Sequence, residues 1–166
     1  MRRAELEDAL APELVTAVTG ARRRALRDDD RQVDTAHLLH SVLEADPETA
    51  AAFEDAGQRA RVLGYLVQRS IGYGLRWQGS VEDTGAGLPV PRGDQGAAAG
   101  WSPAAAAALA GAFERAAVRG ERRVRGLDLL AALAADPANR AGEVLRRAGV
   151  EPGELALRIG LPSQQV

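Results

Sequence analysis

The chain states one long motif twice. Residues 10–39 align without a gap on residues 101–130, so that Leu10 falls on Trp101 and His37 on Asp128, 91 positions apart. Each copy then runs through Asp-Pro, at Asp46-Pro47 and Asp136-Pro137, to Ala-Gly, at Ala56-Gly57 and Ala148-Gly149, where the offset has become 92. Self-similarity at a fixed period marks a duplicated supersecondary unit, which buries its apolar face against its own copy. A fold with internal twofold character is therefore expected.

The apolar spacing inside each copy is helical. Leu14, Val15, Val18, Ala21 and Ala25 recur every three or four residues behind Pro12, a residue suited to a first helical turn. Asp34 or Thr35 can cap a second helix carrying Leu38, Leu39, Val42 and Leu43. Pro47 opens a third with Ala51, Ala52 and Phe53, which Gly57 is expected to stop, and Leu63, Leu66, Val67 and Ile71 mark a fourth. The second copy follows the same plan. Ser102 caps and Pro103 opens a helix with Ala105, Ala108, Leu109, Ala112, Phe113 and Ala116 inward; Leu129, Leu130 and Leu133 follow, then Val144 and Leu145 up to Gly149, then Leu155 and Ile159 behind Pro152. The expectation is an all-α, pseudo-twofold duplicated four-helix repeat, eight helices in all. One domain spans 1–166, with repeat one at about 10–71, a linker at 72–100 and repeat two at about 101–159. The linker is rich in Gly and Pro and lacks a sustained period, as disordered or functional loops do. Trp77 and Leu88-Pro89-Val90-Pro91 are its candidate docking residues.

Composition removes several function classes. The 166 residues suit one core that buries roughly two-thirds of the unfolded chain's surface. A net charge of −2 offers no overall attraction to nucleic acid or anionic membrane, so neither is an expected partner. Without cysteine there is no thiolate nucleophile, disulfide or Cys-ligated zinc. All 21 basic residues are Arg, which leaves no Lys for a phosphate loop or a Schiff base. The opening residues MRRAELEDAL lack the apolar stretch of a secretory signal, and no apolar run approaches the ~20 residues of a membrane span. A cytoplasmic protein with no cofactor is expected.

Three groups of residues are candidate sites. His37 and His40, with Asp34 one turn earlier, could hold a metal ion on one helical face, although no third ligand stands at a characteristic spacing. As ordinary structure, His37 would order the start of the helix and His40 would be partly exposed. Arg122, Arg123 and Arg125 precede the second helix of copy two, whose free N–H groups could join them in binding an acidic side chain or phosphate. Trp101 and Leu10 stand just outside the first helix of each copy. They serve as hydrophobic staples or, if partly exposed together with Leu6, as an apolar peptide groove. No Gly-x-Ser-x-Gly elbow accompanies any Ser, which argues against a hydrolase.

The doubled pattern resembles the Clp N-terminal repeat domain found at the front of bacterial Clp unfoldases, most closely the ClpC type. It is carried by Trp101-Ser102-Pro103, by Val33-Asp34-Thr35-Ala36-His37-Leu38-Leu39 and by Val124-Arg125-Gly126-Leu127-Asp128-Leu129-Leu130. The resemblance implies an eight-helix bundle that receives proteins for an attached ATPase ring and its proteolytic chamber. Partners would be Clp ATPase or protease components and adaptor or substrate proteins, met at Leu6, Leu10, Thr35, His37, Trp101, Arg122, Arg123 and Arg125. In ClpC-type domains a Thr-Glu-His at each second helix supplies a Glu that grips phosphorylated arginine; Ala36 and Leu127 stand in that place here. The expected function is a non-catalytic protein- or peptide-binding module, an accessory, adaptor-like or decoy element of the Clp system. The alternatives are a recognition domain excised from a longer Clp ATPase and a small metal-dependent enzyme using Asp34, His37 and His40.

Overall fold

The computed structural model describes residues 3–70, 82 and 100–160. Among these, the helices are α1 (Arg3–Ala9), α2 (Pro12–Arg27), α3 (Thr35–Ala45), α4 (Ala56–Ser70), α5 (Pro103–Val118), α6 (Gly126–Ala135), α7 (Arg140–Arg147) and α8 (Pro152–Gly160), with a 3₁₀ segment at Pro47–Ala52 between α3 and α4. The all-α expectation holds. Two details differ. A further helix, α1, precedes copy one, and the third element of that copy is the six-residue 3₁₀ segment, which does not run on to Gly57. Asp46 nucleates that segment by accepting from Glu48 N at 3.0 Å, but Asp55 then restarts the chain by accepting from Gln58 N at 2.8 Å. Gly57 thus lies in the first turn of α4, where a local cap outweighs the stop signal. Ile71, Trp77 and the Leu88–Pro91 run lie outside the described residues, as does the linker except Glu82 and Gly100.

The two copies interlock through their non-helical corners. Leu10 forms a parallel bridge with Val124, and Trp101 forms one with Val33. The bonds correspond one for one: Ala11 N to Val124 O at 2.8 Å and Val124 N to Ala9 O at 2.9 Å, against Ser102 N to Val33 O at 2.9 Å and Val33 N to Gly100 O at 2.8 Å. Every donor and acceptor in one bridge lies 91 positions from its counterpart in the other. Each copy therefore supplies the partners that satisfy buried backbone groups of the other.

Packing repeats the exchange. Within the copies α2 lies on α3 and α5 on α6; between them α3 meets α6 and α7, while α6 meets the 3₁₀ segment. Leu38, Leu39, Leu129, Leu130 and Leu133 at the centre are fully buried, each contributing about 1.5–3 kcal/mol of apolar burial. The first and second helices approach closely where a glycine faces a small residue. A methyl group on Gly20 would lie 3.4 Å from Ser41 Oγ, and one on Gly111 would lie 3.3 Å from Ala132 Cβ. These pairs also lie 91 apart. The turn after the first helix needs a left-handed residue in both copies, supplied by Gly120 at φ 74° and by Asp29 at φ 56°. Asp is among the few side chains that tolerate that region.

Candidate functional site

The polar interior gathers around the start of α3. Asp34 is the N-cap: its Oδ1 accepts from His37 N at 2.8 Å, and its own N–H donates to His37 Nδ1 at 3.0 Å, completing a reciprocal capping box. A backbone N–H can only donate, so Nδ1 accepts and the hydrogen of the neutral ring sits on Nε2, 2.8 Å from Asp30 Oδ2. The second oxygen of Asp34 pairs with Arg69 and, at 2.9 Å, with Arg140 Nη1. Burial alone would raise the Asp34 pKa. Hydrogen bonding by His37, with the His37 N–H donating, and the positive charge of Arg69 outweigh it and hold the carboxyl well below the usual carboxylate range.

A carboxylate from outside the repeats completes this region. Glu82 Oε1 accepts from Thr35 N at 2.8 Å and Ser102 Oγ at 3.0 Å, while Oε2 accepts from Thr35 Oγ1 and from Arg140 N at 2.6 Å. Thr35, Ser102 and Glu82 are all buried. The sequence singled out Thr35 and treated Ser102 as a cap only. It gave no sign of Glu82, which no periodic pattern marks.

One turn along α3, His40 is buried instead of partly exposed, with Nε2 3.0 Å from Glu44 Oε1. Burial and the nearby Arg24 charge push its pKa down to about 4, against the opposing effect of Glu44. The ligand set expected for a metal, Asp34, His37 and His40, does not converge. Among the described residues, the group whose ligand atoms lie within 4.8 Å of one another is Asp28, Asp30 and His37. A metal there would need the Nε2 lone pair, so His37 would have to give up the Asp34 N–H bond that fixes its tautomer. Arg69 lies 4.0 Å from Asp30, adding a positive charge to the same group.

The remaining candidates separate into buried and exposed. Leu10 and Trp101 are buried, at 3% and 6% exposure, so they do not form the partly exposed groove that was one expectation. Their backbone bridges hold them inward, as staples, and the Arg22 guanidinium lies 5.7 Å from the Trp101 ring centroid. Leu6, half-buried, packs against the core. At the start of α6, Arg122 and Arg123 are exposed, while half-buried Arg125 pairs with Glu121 at 3.2 Å and lies 3.8 Å from Glu48. Asp128 accepts from Arg125 N at 2.8 Å and from the two terminal guanidinium nitrogens of Arg119, Nη1 and Nη2. Ala36 is fully buried and Leu127 rests on the core, so neither offers an acceptor for a guanidinium.

No protein-family model and no curated protein matches the chain. Solved structures do. One, described as preliminary structural investigations of a malarial protein secretion system, is 14% identical with a TM-score of 0.63, and the match covers 92% of each chain. Another is the N-terminal domain of the caseinolytic protease associated chaperone ClpD from Arabidopsis thaliana, 16% identical with a TM-score of 0.57, over 91% of this chain and 92% of that one. The structural match over most of both chains gives this chain the all-α fold of a Clp N-terminal domain.

Proposed function

We propose that the chain is a non-catalytic protein-binding module of the Clp system, acting in the cytoplasm on adaptor proteins, substrates or Clp ATPase and protease components. The observation that carries the reading is the end-to-end match in fold to the ClpD N-terminal domain. The exposed face at the start of α6, with Arg122, Arg123 and the half-buried Arg125, is its partner surface. Planar, permanently charged guanidinium groups suit acidic side chains of a partner. The burial of Leu10 and Trp101 supports placing the contact there and not on an apolar groove.

The test is affinity capture from lysate of the source organism with the full chain as bait, beside an Arg122→Ala/Arg123→Ala/Arg125→Ala variant. Enrichment of Clp ATPase, protease or adaptor subunits on the unaltered chain, lost on the variant, is the expected result. Absence of Clp components from both would sink the reading.

A further inference from the structure

Glu82 is held by donors alone. Two are backbone N–H groups in the first turns of α3 and α7, Thr35 N and Arg140 N, which no carbonyl of their own helix can satisfy. They bring the positive ends of two helix dipoles to one point. The other two are hydroxyls whose hydrogens have one direction left. Thr35 Oγ1 already accepts from Ala141 N at 3.0 Å, and Ser102 Oγ already accepts from Ala105 N at 3.0 Å. Each hydroxyl therefore turns its hydrogen onto the carboxylate. Four convergent donors from α3, the α5 cap and α7 match a pair of anionic oxygens. A neutral amide in the same place would set its own NH₂ group against donors.

The occupant belongs to none of the three helices that make the cradle. It lies 47 residues from Thr35, 20 from Ser102 and 58 from Arg140. The donors are fixed by the caps and first turns of α3, α5 and α7, whichever oxyanion they meet. We propose that the junction of α3, α5 and α7 is an oxyanion-binding site for a carboxylate or a phosphate monoester, which Glu82 fills from within the chain. The site stands apart from the exposed α6 arginines and does not depend on the Clp reading.

The test uses the full chain and its Glu82→Ala and Glu82→Gln variants, titrated with sodium phosphate or sodium acetate at constant ionic strength. Backbone amide shifts of Thr35, Arg140 and Ala141 are followed by NMR, together with Tm. Glu82→Ala has a lower Tm than the unaltered chain, and phosphate or acetate raises it saturably while moving the Thr35 and Arg140 amides. The unaltered chain needs about tenfold more anion or beyond for the same shifts, because its tethered carboxylate competes. Tighter binding of phosphate assigns a phosphate monoester as the natural ligand class, and tighter binding of acetate assigns a carboxylate. Should Glu82→Ala not fold in plain buffer, either anion restores a cooperative transition. The proposal is overturned if neither anion moves the Thr35 and Arg140 amides in folded Glu82→Gln or Glu82→Ala, or if variant and unaltered chain titrate alike.

Discussion

The start of α3 and the start of α6 occupy equivalent places in the two copies, yet they solve the same problem with opposite charges. Both use the third helical residue to accept the N-cap N–H, His37 Nδ1 at 3.0 Å in one and Asp128 Oδ2 at 2.8 Å in the other. In copy one the cap is a buried carboxylate, Asp34, paired with Arg69 and Arg140. In copy two the cap position holds Arg125, whose side chain caps nothing and leans on Glu121. Copy one places Thr35 next and seats Glu82 on it, whereas copy two places Gly126 there and packs Asp46 against it. The shared backbone frame follows from bridges and burial that both copies need. The larger polar network gathers at the start of α3 and draws Ser102 and Arg140 from copy two, and because it is buried, every member there depends on its partners.

The largest test of that contrast compares the two caps directly. Asp34→Ala leaves Arg69 and Arg140 without their shared carboxylate and His37 N without its acceptor. Removing one partner of a buried ion pair costs about 3–5 kcal/mol, and urea unfolding of the full chain should show a loss in that range. Arg125→Ala removes only partly exposed pairs and should cost under about 1 kcal/mol. Similar losses at both positions would show that the copies are energetically equivalent and that the buried network is incidental.

A second contrast lies in acid. His40 has Ala131 as its counterpart, so this titration belongs to copy one alone. Its folded pKa of about 4 stands below the ordinary 6.5, so between those values the unfolded chain binds the proton more readily than the folded one. The stabilisation is complete above about pH 6.5 and falls away as pH drops toward 4, by as much as about 3 kcal/mol. Asp34 adds its own acid loss only at lower pH, below the ordinary carboxylate range. Chemical denaturation at pH 7 and pH 4.5 should therefore show the drop in the unaltered chain and a much smaller one in His40→Gln. An equal drop in both would remove His40 as its cause.

Much of the fold was legible because duplication reports on itself. The helical stripes and the Ser102-Pro103 opening follow from local periodicity and capping, which act within a few residues. The Gly20 and Gly111 close approaches, by contrast, show only in the packing, although a glycine recurs at the same place in both copies. The error at Gly57 arose because Asp55 supplies a cap just ahead of a glycine that otherwise reads as a stop. The site was less legible. Thr35, His37 and the Arg cluster stand out on composition, but their burial is set by long-range packing. Leu10 and Trp101 turn inward because of bridges to residues far along the chain. Glu82 carries no local signal at all: its role comes from three helix starts that meet only in the folded state.

The smallest of these tests asks why copy two carries Gly126 where copy one carries Thr35. A methyl group on Gly126 would lie 2.2 Å from Asp46 Oδ2 and 3.0 Å from Asp46 Cγ, too close to coexist with the present Asp46. Asp46 would have to swing away and lose the bond by which it caps the 3₁₀ segment at Glu48 N. Gly→Ala within a helix ordinarily helps by about 0.5–1 kcal/mol. Here overpacking reverses the sign, and Gly126→Ala should cost about 2 kcal/mol. In an Asp46→Ala background most of the obstructing atoms are gone, so the same substitution should cost at least about 1 kcal/mol less, a coupling that a double-mutant cycle reads directly. If Gly126→Ala costs the same in both backgrounds, the glycine answers to something other than the Asp46 carboxylate. If the coupling appears, each copy's second helix starts against a carboxylate of its own chain, and the residue there is chosen by whether that carboxylate is bound through a hydroxyl or packed against bare backbone.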